Sequence, residues 1–364
     1  MPEPFKNMFN LKVIRKLATD IQSVHGSFPA DEFVKSTVDE TWENLELKER
    51  VLKVTVNLRK FLPADYKEAI SIIDKVVMNY GSWLEGTGWF FPFFVELYGV
   101  DEENWDISMG ALELYTQYAS AESAVRPFII MNQERMMAQM YAWSKHESEQ
   151  VRRLSCEGCR PALPWTQALN SFKKDPGPIL PILEQLKADE SVWVRKSVAN
   201  NLNDISKTHP DLVVKIAKEW YGKNEHTDWI VKHACRTLLK KGNSEALAVF
   251  GLGDAASLDV SGLALEAAST RIGEDITFSF TISAKKDMKA RLEYGIDYVK
   301  SRGKRNRKIF QISEISLKEN TKKQYTRKHS FADVSIRKHY PGVHSITLIV
   351  NGAERGTLDF KVTV

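Results

Sequence analysis

Glu157 is predicted to lie one helical turn from two arginines, an arrangement that could serve chemistry as well as structure. Arg153, Glu157 and Arg160 follow an i, i+4, i+7 spacing, so they share one face if residues 146–160 are helical. A carboxylate there can stabilise positive charge that develops in a reaction. The spacing suits simple ion pairs on a solvated helix equally well, at roughly a few tenths of a kcal/mol each.

Two tryptophans accompany this group in the sequence. Trp165 follows the predicted helix, and Trp193 stands at the head of the next one. Aromatic rings beside cations suit sugars and bases, although packing at helix edges accounts for them as well.

A threefold repeat supplies the helices that would position these residues. Polar residues at helical spacing follow Val151, Val194 and Val231, which lie 43 and 37 residues apart. Such periods are typical of two-helix repeats of the HEAT or armadillo kind, which stack into a solenoid with a concave binding face. The slots of Arg153, Glu157 and Arg160 hold Lys196, Asn200 and Asn203 in the second copy, and His233, Thr237 and Lys240 in the third. We therefore expect one polar surface across stacked helices, acidic only at Glu157.

Two of the three cysteines align with positions on the buried face of the repeat. Cys159 matches Leu202 and Leu239, and Cys235 matches Val198, which predicts small buried residues. Cys156 and Cys159 form a lone C-x-x-C, and the eight histidines show no zinc-binding spacing. No Walker or dinucleotide glycine motif is present either, so we predict no metal and no cofactor.

The hydrophobic pattern changes character near residue 255, from helical periodicity to alternation. Helices are predicted at 10–25, 30–38, 46–60, 65–79, 86–98, 107–119, 122–143, 146–160, 176–187, 191–207, 210–221, 228–241 and 243–249. Strands are predicted near 262–269, 275–283, 290–299, 308–317, 323–331, 343–350 and 355–364. Seven short strands over about 100 residues suggest an immunoglobulin-like sandwich. The predicted fold class is mainly α: a HEAT-like helical-repeat solenoid (1–254) followed by a C-terminal all-β immunoglobulin-like sandwich (255–364).

Positive charge is concentrated in the β region. Residues 262–364 contain 20 Lys and Arg against 11 Asp and Glu, a net +9, whereas the whole chain carries +4 and residues 1–261 therefore −5. The densest stretch, 300–308, has six cations in nine residues. Such clusters are typical of nucleic-acid contacts, and a solvated hairpin tip explains them equally well.

Cellular location is predicted from what the sequence lacks. No apolar run approaches the roughly 20 residues of a membrane span, and the first residues do not have the layout of a signal peptide. Few cysteines fit a reducing compartment. We expect a cytoplasmic monomer that does not bind membranes.

Four segments resemble the AlkC family of alkylation-repair DNA glycosylases, which is related to the AlkD group. They are Trp89–Gly99 (WFFPFFVELYG), Ser120–Phe128 (SAESAVRPF), Val151–Trp165 (VRRLSCEGCRPALPW) and Trp193–Ile205 (WVRKSVANNLNDI). The likeness covers roughly residues 5–250. It implies a bacterial enzyme working at the nucleoid on double-stranded DNA, removing cationic methylated bases, chiefly 3-methyladenine and also 3-methylcytosine, without drawing them into a deep pocket.

The resemblance gives the polar residues specific tasks. Glu122 and Glu157, with Asp204 as a third candidate, would stabilise an oxocarbenium-like sugar and place water. Residues expected to contact DNA in the helical region are Arg153, Arg160, Trp165, Trp193, Lys196 and Asn200. In the β region Lys304, Arg305, Arg307 and Lys308 would clamp the duplex from the other side.

Two other interpretations fit parts of the sequence. A HEAT-type scaffold that binds nucleic acid or protein without catalysis would use the same polar faces. An extracellular adhesin would explain the sandwich but not the missing signal peptide.

Overall fold

A computed structural model describes residues 3–78, 87–253, 255–334 and 337–364. The chain forms two compact units. One comprises Met1–Thr208 and Lys223–Ala234, and the other His209–Gly222 and Cys235–Val364. The predicted fold class is confirmed, since α-helices end at Val249 and strands begin at Leu258. The predicted boundary after residue 254 falls on a position outside the described residues and stays a prediction.

Helices form the whole framework of the first unit. They are α1 (Leu11–Val24), α2 (Ala30–Thr37), α3 (Leu47–Phe61), α4 (Tyr66–Val77), α5 (Phe90–Tyr98), α6 (Trp105–Tyr115), α7 (Arg126–Met131), α8 (Gln133–Trp143), α9 (Glu149–Glu157), α10 (Asn170–Lys174), α11 (Leu180–Leu186), α12 (Val192–Ile205) and α14 (Glu225–Ala234). The second unit contains α13 (Pro210–Trp220), α15 (Arg236–Lys240) and α16 (Ser244–Val249). Among the described residues no helix is both long enough and apolar enough to cross a membrane.

Capping side chains begin several of these helices where the sequence predicts a start. The Ser191 side chain accepts a hydrogen bond from the Trp193 amide at α12, and Asn243 accepts one from Ala246 at α16. Pro210 occupies the first position of α13. Each such cap satisfies an otherwise unpaired amide and contributes about 1 kcal/mol.

Several predicted helices are wrong in extent, among them 107–119, which is observed as Trp105–Tyr115. The predicted helix 122–143 is two helices, because extended Asn132 caps α8 with its own side chain, and Glu122 lies in the turn before α7. The predicted helix 146–160 ends at Glu157 as α9, so Arg160 lies beyond the helix. The predicted helix 228–241 is interrupted at Cys235, which separates α14 from α15. Residues 79 and 86, the ends of two further predicted helices, lie outside the described residues.

The predicted core positions of the repeat are buried. Val151, Val194 and Val231 are at most 1 % exposed, and the three cysteines are buried as well. Helix α12 lies between α9 and α14 in contact with both. The repeat therefore places α9 and α12 side by side, which brings residues about 40 positions apart in sequence within hydrogen-bonding reach.

The β region consists of two sheets. One has the strand order β1 (Leu258–Leu265), β3 (Asp275–Ala284), β6 (Lys322–Ser330). The other has the order β2 (Ser269–Arg271), β8 (Ala353–Thr363), β7 (Gly342–Val350), β4 (Met288–Val299), β5 (Arg305–Leu317). Six of these strands match predicted ones, and β1 overlaps the predicted strand 262–269 but begins and ends four residues earlier. Strand β2 was missed because it has only three residues, which pair in parallel with β8.

Alternating residues of both sheets form the core of this region. On β3, Ile276, Phe278, Phe280 and Ile282 are at most 1 % exposed, and β4 and β7 contribute further apolar residues. Burying each such side chain contributes roughly 1.5–3 kcal/mol. Strands β5 and β6 lie at the outer edges of their sheets, and charged residues along them discourage pairing with another chain.

Candidate active site

A cleft of about 390 Å³ lies in the helical unit and collects most of the predicted catalytic residues. Its walls come from the start of α3, from Trp89 and α5, from the turn before α7, from α9 and from the loop after α9. The polar side chains that line it are Lys48, Glu96, Ser120, Glu122, Ser123, Arg126, Arg153, Glu157, Thr166 and Gln167. Trp89, Phe93, Leu163, Pro164 and Trp165 supply apolar walls. Carboxylates, cations and rings thus face one space.

Glu122 is the least satisfied polar group of the cleft. It is 3 % exposed, and its Oε1 accepts a hydrogen bond from the Arg153 guanidinium. Its Oε2 is buried and has no hydrogen-bond partner among the described residues. An unpaired buried carboxylate oxygen is costly, so its retention at a cleft points to a partner that arrives from outside.

Glu157 belongs to a buried polar network rather than to an open helix face. Its Oε2 accepts from Ser197 Oγ at 2.7 Å, and its Oε1 accepts from Arg160 Nη1 at 2.5 Å. Arg160 Nε reaches Asp204 Oδ2 at 2.9 Å, and Lys207 Nζ donates to Asp204 Oδ1 at 2.7 Å. Glu157, Arg160 and Asp204 are each at most 8 % exposed, so the expected solvated polar surface is wrong at these positions.

The arginines differ in their electrostatic surroundings. Burial lowers the pKa of Arg153, and the charge of Glu157 offsets only part of this effect. Burial also opposes ionisation of Arg160, but Glu157 and Asp204 outweigh it and leave the pKa of Arg160 above its ordinary value. Arg160 is therefore held as a cation between two carboxylates. It is not presented freely to a phosphate.

Arg126, which sequence reasoning did not single out, ties down the loop after α9. Its guanidinium donates to the carbonyls of Gly158 at 2.8 Å, Arg160 at 3.0 Å and Gln167 at 2.6 and 2.8 Å. It is 2 % exposed, and burial lowers its pKa to about 10. Arg126 thereby holds the residues that directly follow α9, and the loop as far as Gln167, in place. In the sequence, the signal that could have pointed to Arg126 was the Arg-Pro pair at residues 126–127.

Trp165 is presented at the mouth of the cleft. Its ring is 71 % exposed, and its backbone has φ of 64°, a left-handed conformation that side-chain-bearing residues adopt at a cost. Lys48 Nζ donates to the Trp165 carbonyl and holds it there. Strained residues of this kind concentrate at functional sites.

Glu96 is a third carboxylate of the cleft that sequence reasoning missed. It lies on α5, partly buried, and its Oε2 accepts from Ser123 Oγ at 3.0 Å. Burial raises the pKa of Glu96, while the Ser123 hydrogen bond and the charge of Lys48 partly counter this. The signal in the sequence was a single charge in the otherwise apolar and aromatic helix α5.

The remaining predicted residues of the helical unit lie outside the cleft lining. Trp193 is partly buried at the start of α12, 6.0 Å from the Arg153 guanidinium carbon to its ring centroid. Lys196 is exposed on α12, and Asn200 is partly buried one turn further on. The structure thus brings Glu122, Arg153, Glu157 and Trp165 together in the cleft, with Arg160 and Asp204 behind Glu157.

The predicted basic residues of the β region are all exposed but differ in their partners. Arg307 forms a two-pronged bond with Asp297, at 2.8 and 2.9 Å, and also contacts Glu354; these carboxylates raise its pKa. Arg305 donates to Ser345 at 2.8 Å. Lys308 instead has a lowered pKa, chiefly because the positive charge of Arg337 is close.

The three cysteines are buried free thiols. Burial raises the pKa of Cys159 and Cys235 to about 12, so both thiols are protonated at neutral pH. Within the described residues no group of three or more His, Cys, Asp or Glu side chains is arranged to hold a metal ion.

Comparison with known families first defines a class. The model of the DNA alkylation repair enzyme family matches residues 116–245, the segment that contains Glu122, Glu157 and Asp204. The model of the C-terminal immunoglobulin-like domain of the uncharacterised protein YhaZ matches residues 259–364. Fold and site therefore define a helical DNA alkylation repair protein with an immunoglobulin-like C-terminal region.

Individual relatives narrow this class. The chain is 47 % identical over 357 residues to the uncharacterized protein YhaZ of Bacillus subtilis (strain 168), which covers 98 % of this chain and 99 % of the relative. It is 36 % identical to the Pseudomonas fluorescens alkylpurine DNA glycosylase AlkC, solved bound to DNA containing an abasic site analog, with a TM-score of 0.94 over 100 % of both chains. The chain belongs to the AlkC family of alkylation-repair proteins, as its sequence motifs indicated.

Proposed function

We propose that this chain is a monofunctional DNA glycosylase. In this proposal it hydrolyses the N-glycosidic bond of cationic N-alkylated bases in double-stranded DNA, with 3-methyladenine as the first substrate and 3-methylcytosine as a second. Family membership supports the reaction class, because the AlkC relative is an alkylpurine glycosylase solved with abasic-analog DNA. The composition of the cleft supports the chemistry.

A base alkylated on a ring nitrogen already carries positive charge. When the bond between C1′ and the base nitrogen breaks, the electron pair leaves with the base, which becomes neutral, so no general acid is needed. The sugar is left as an oxocarbenium-like species, and water adds to C1′ while releasing a proton. The protein must therefore supply negative charge near C1′ and a group that orients water.

Glu122 fits the first requirement best, and its unpaired oxygen is the single observation that carries the proposal. Oε2 is buried at the cleft without a hydrogen-bond partner among the described residues, while Arg153 holds Oε1. The charge is thereby fixed in place before substrate binds. A fixed, desolvated carboxylate stabilises a developing cation more strongly than a solvated one.

Glu157 and Asp204 receive different parts. Glu157 lines the cleft, and Ser197 and Arg160 each donate to one of its oxygens. Because a carboxylate oxygen can accept a second hydrogen bond, we assign Glu157 to orienting water beside Glu122. Asp204 does not line the cleft and binds Arg160 and Lys207. Asp204 then supports the reaction by holding Arg160, and through it Glu157, in position.

The proposed chemistry requires access to the sugar rather than enclosure of the base. We therefore propose that the base is not drawn into a deep pocket, and that the exposed Trp165 ring packs against the deoxyribose or the distorted backbone. Arg153, Lys196 and Asn200 would contact phosphates near the lesion, with Trp193 beside Arg153. Among the predicted phosphate ligands Arg160 suits this role least, because its guanidinium is already paired with Glu157 and Asp204.

The β region is proposed as a second DNA contact. Lys304 and Lys308 are exposed and have no salt bridge among the described residues, whereas Arg307 is already bound by Asp297 and Glu354. We expect Lys304→Gln/Lys308→Gln to reduce the slope of log affinity against log salt by about 0.9 per lost phosphate contact. Arg307→Gln, on the same strand as Lys308, is the matched control and should change the slope little. Equal slopes in all three proteins would exclude this contact.

The test of the proposed function is base release from duplex DNA that carries 3-methyladenine. Wild type should release the base, while Glu122→Gln and Glu157→Gln should lose roughly 100-fold or more in single-turnover rate and still bind the DNA. Glu113→Gln is a matched control, because Glu113 is a partly buried carboxylate on α6 that accepts from Trp143 at 2.6 Å outside the cleft.

The non-catalytic scaffold predicts a different outcome in the same assay. Wild type would bind alkylated and unmodified duplex equally and release no base. That result would reject the glycosylase proposal and leave the polar surfaces as binding surfaces only.

A further inference from the structure

The turn that carries Glu122 is held at several points. Residues 122–125 form a turn ahead of α7, closed by backbone hydrogen bonds from Ala124 to Ala121 at 3.0 Å and from Arg126 to Ser123 at 3.1 Å. Ala121 and Ala124 are fully buried, and Arg126 binds carbonyls of the loop after α9. A further contact ties the turn to another wall of the cleft.

Ser123 provides that tie. Its Oγ donates to Glu96 Oε2 at 3.0 Å, and the two residues are 27 positions apart. The bond joins the turn to α5, the helix on the neighbouring wall of the cleft. Ser123 is the residue directly after Glu122, so a shift of Ser123 must shift Glu122 as well.

We infer that Glu96 is a positioning residue: through Ser123 it fixes the turn so that the unpaired oxygen of Glu122 faces the reacting sugar. The inference rests on the proposed glycosylase function and assigns Glu96 a part in it. Glu96 acts through another residue and does not itself touch the reacting atoms. Small displacements of a catalytic group lower rates steeply, by as much as about 100-fold for 1 Å.

The electrostatic surroundings of Glu96 give the tie a pH dependence. An ionised carboxylate accepts a stronger hydrogen bond from Ser123 than a protonated one. Burial raises the pKa of Glu96, so protonation begins at a higher pH than for an exposed glutamate. Among nearby charges Lys48 favours the ionised form, and Lys48 also donates to the carbonyl of Trp165, another residue of the cleft lining. Base release should therefore fall on the acid side as Glu96 gains a proton.

The experiment is a double-mutant cycle in single-turnover base release with enzyme in excess, using 3-methyladenine duplex. Ser123→Ala and Glu96→Ala should each lower the rate by roughly 10- to 100-fold, and the double variant should be no slower than the slower single one. Glu96→Gln should retain most of the rate, because its amide oxygen still accepts from Ser123. Affinity for DNA should be unchanged, and Glu96→Gln should lose the acid-side fall in rate.

Matched controls separate positioning from general damage. Ser36 is partly buried on α2 and donates to the Phe33 carbonyl at 3.1 Å outside the cleft, so Ser36→Ala should keep the wild-type rate. Glu113→Gln serves the same purpose for the carboxylate. Far-UV circular dichroism of each variant checks that the helices are intact.

The possible failures are distinguishable. If wild type releases no base, the proposed function is wrong, and this inference is wrong as well. If wild type is active and Ser123→Ala equals it, only the inference is overturned. Additive losses of rate in the cycle would also overturn it. So would a Glu96→Gln variant that is as slow as Glu96→Ala while Ser123→Ala stays active. Either result would assign Glu96 a role independent of Ser123.

Discussion

Replacing Arg160 by methionine removes a guanidinium that bridges the buried carboxylates of Glu157 and Asp204. In the native protein Arg160 contacts Glu157 at 2.5 Å and Asp204 at 2.9 Å, and none of the three residues is more than 8 % exposed. Methionine fills much of the volume but carries no charge. The substitution therefore leaves Glu157 and Asp204 buried without their shared cation.

The expected loss in the free energy of unfolding follows from the burial of these three residues. Breaking a buried ion pair by removing one partner costs about 3–5 kcal/mol, whereas an exposed pair contributes about 0–1 kcal/mol. Ser197 still donates to Glu157, and Lys207 still pairs with Asp204. We therefore expect the lower end, a loss of about 3 kcal/mol in the free energy of unfolding, which is a large share of the stability of a typical domain.

Urea unfolding followed by tryptophan fluorescence is the appropriate assay, because all nine tryptophans lie at or before residue 229 and report on the helices. Lys187→Met breaks an exposed pair with Glu184 and should cost less than about 1 kcal/mol. Arg160→Met combined with Glu157→Gln and Asp204→Asn should recover much of the loss. If Arg160→Met costs no more than Lys187→Met, or reduces the salt dependence of DNA binding without loss of stability, the structural role is refuted and Arg160 is a phosphate ligand.

Three further predictions concern other parts of the molecule. The pKa of His329 is lowered to about 4 by burial and by the nearby charge of Arg337, so the folded state holds this ring neutral and gains its full stability above pH 6.5. Calorimetry should show that the free energy of unfolding falls by on the order of 3 kcal/mol between pH 6.5 and pH 4. This fall should be absent in His329→Gln. Trp165→Gly should raise the free energy of unfolding by roughly 1 kcal/mol, because glycine adopts the left-handed backbone without strain, and it should lower the rate of base release. If Trp165→Gly and Trp165→Ala were equally stable in urea, there would be no strain to relieve. The three buried thiols should react with a thiol reagent at pH 8 only on unfolding, and fast labelling of native protein would contradict their burial.

Much of the fold could be predicted because hydrophobic periodicity is a local property. Ile276, Phe278, Phe280 and Ile282 alternate in sequence and all point into the sandwich core. The predicted ends of helices were wrong where a single side chain outside the hydrophobic pattern determines where the helix begins or ends. Asn132 divides one predicted helix by capping the next one, and Cys235 lies at a break that periodicity does not reveal.

Four of the predicted site residues, Glu122, Arg153, Glu157 and Trp165, line one cleft, but their surroundings could not be predicted. Periodicity placed Glu157 on an exposed helix face, yet Glu157 is only 7 % exposed and accepts a hydrogen bond from Ser197, which lies 40 residues away on α12. Contacts at such sequence separation leave no periodic trace. Glu96 was missed for a related reason, because its partner Ser123 lies on another wall of the cleft.

The central claim is that Glu122 stabilises the charge that develops on the sugar as the base departs. The most direct measurement is the single-turnover rate of 3-methyladenine release by wild type and Glu122→Gln under saturating enzyme, with DNA affinity measured on the same preparations. The account predicts base release by wild type, a loss of roughly 100-fold or more in Glu122→Gln, and equal or tighter DNA binding by the variant, since a buried negative charge beside DNA has been removed. A Glu122→Gln variant that releases the base at the wild-type rate would contradict it.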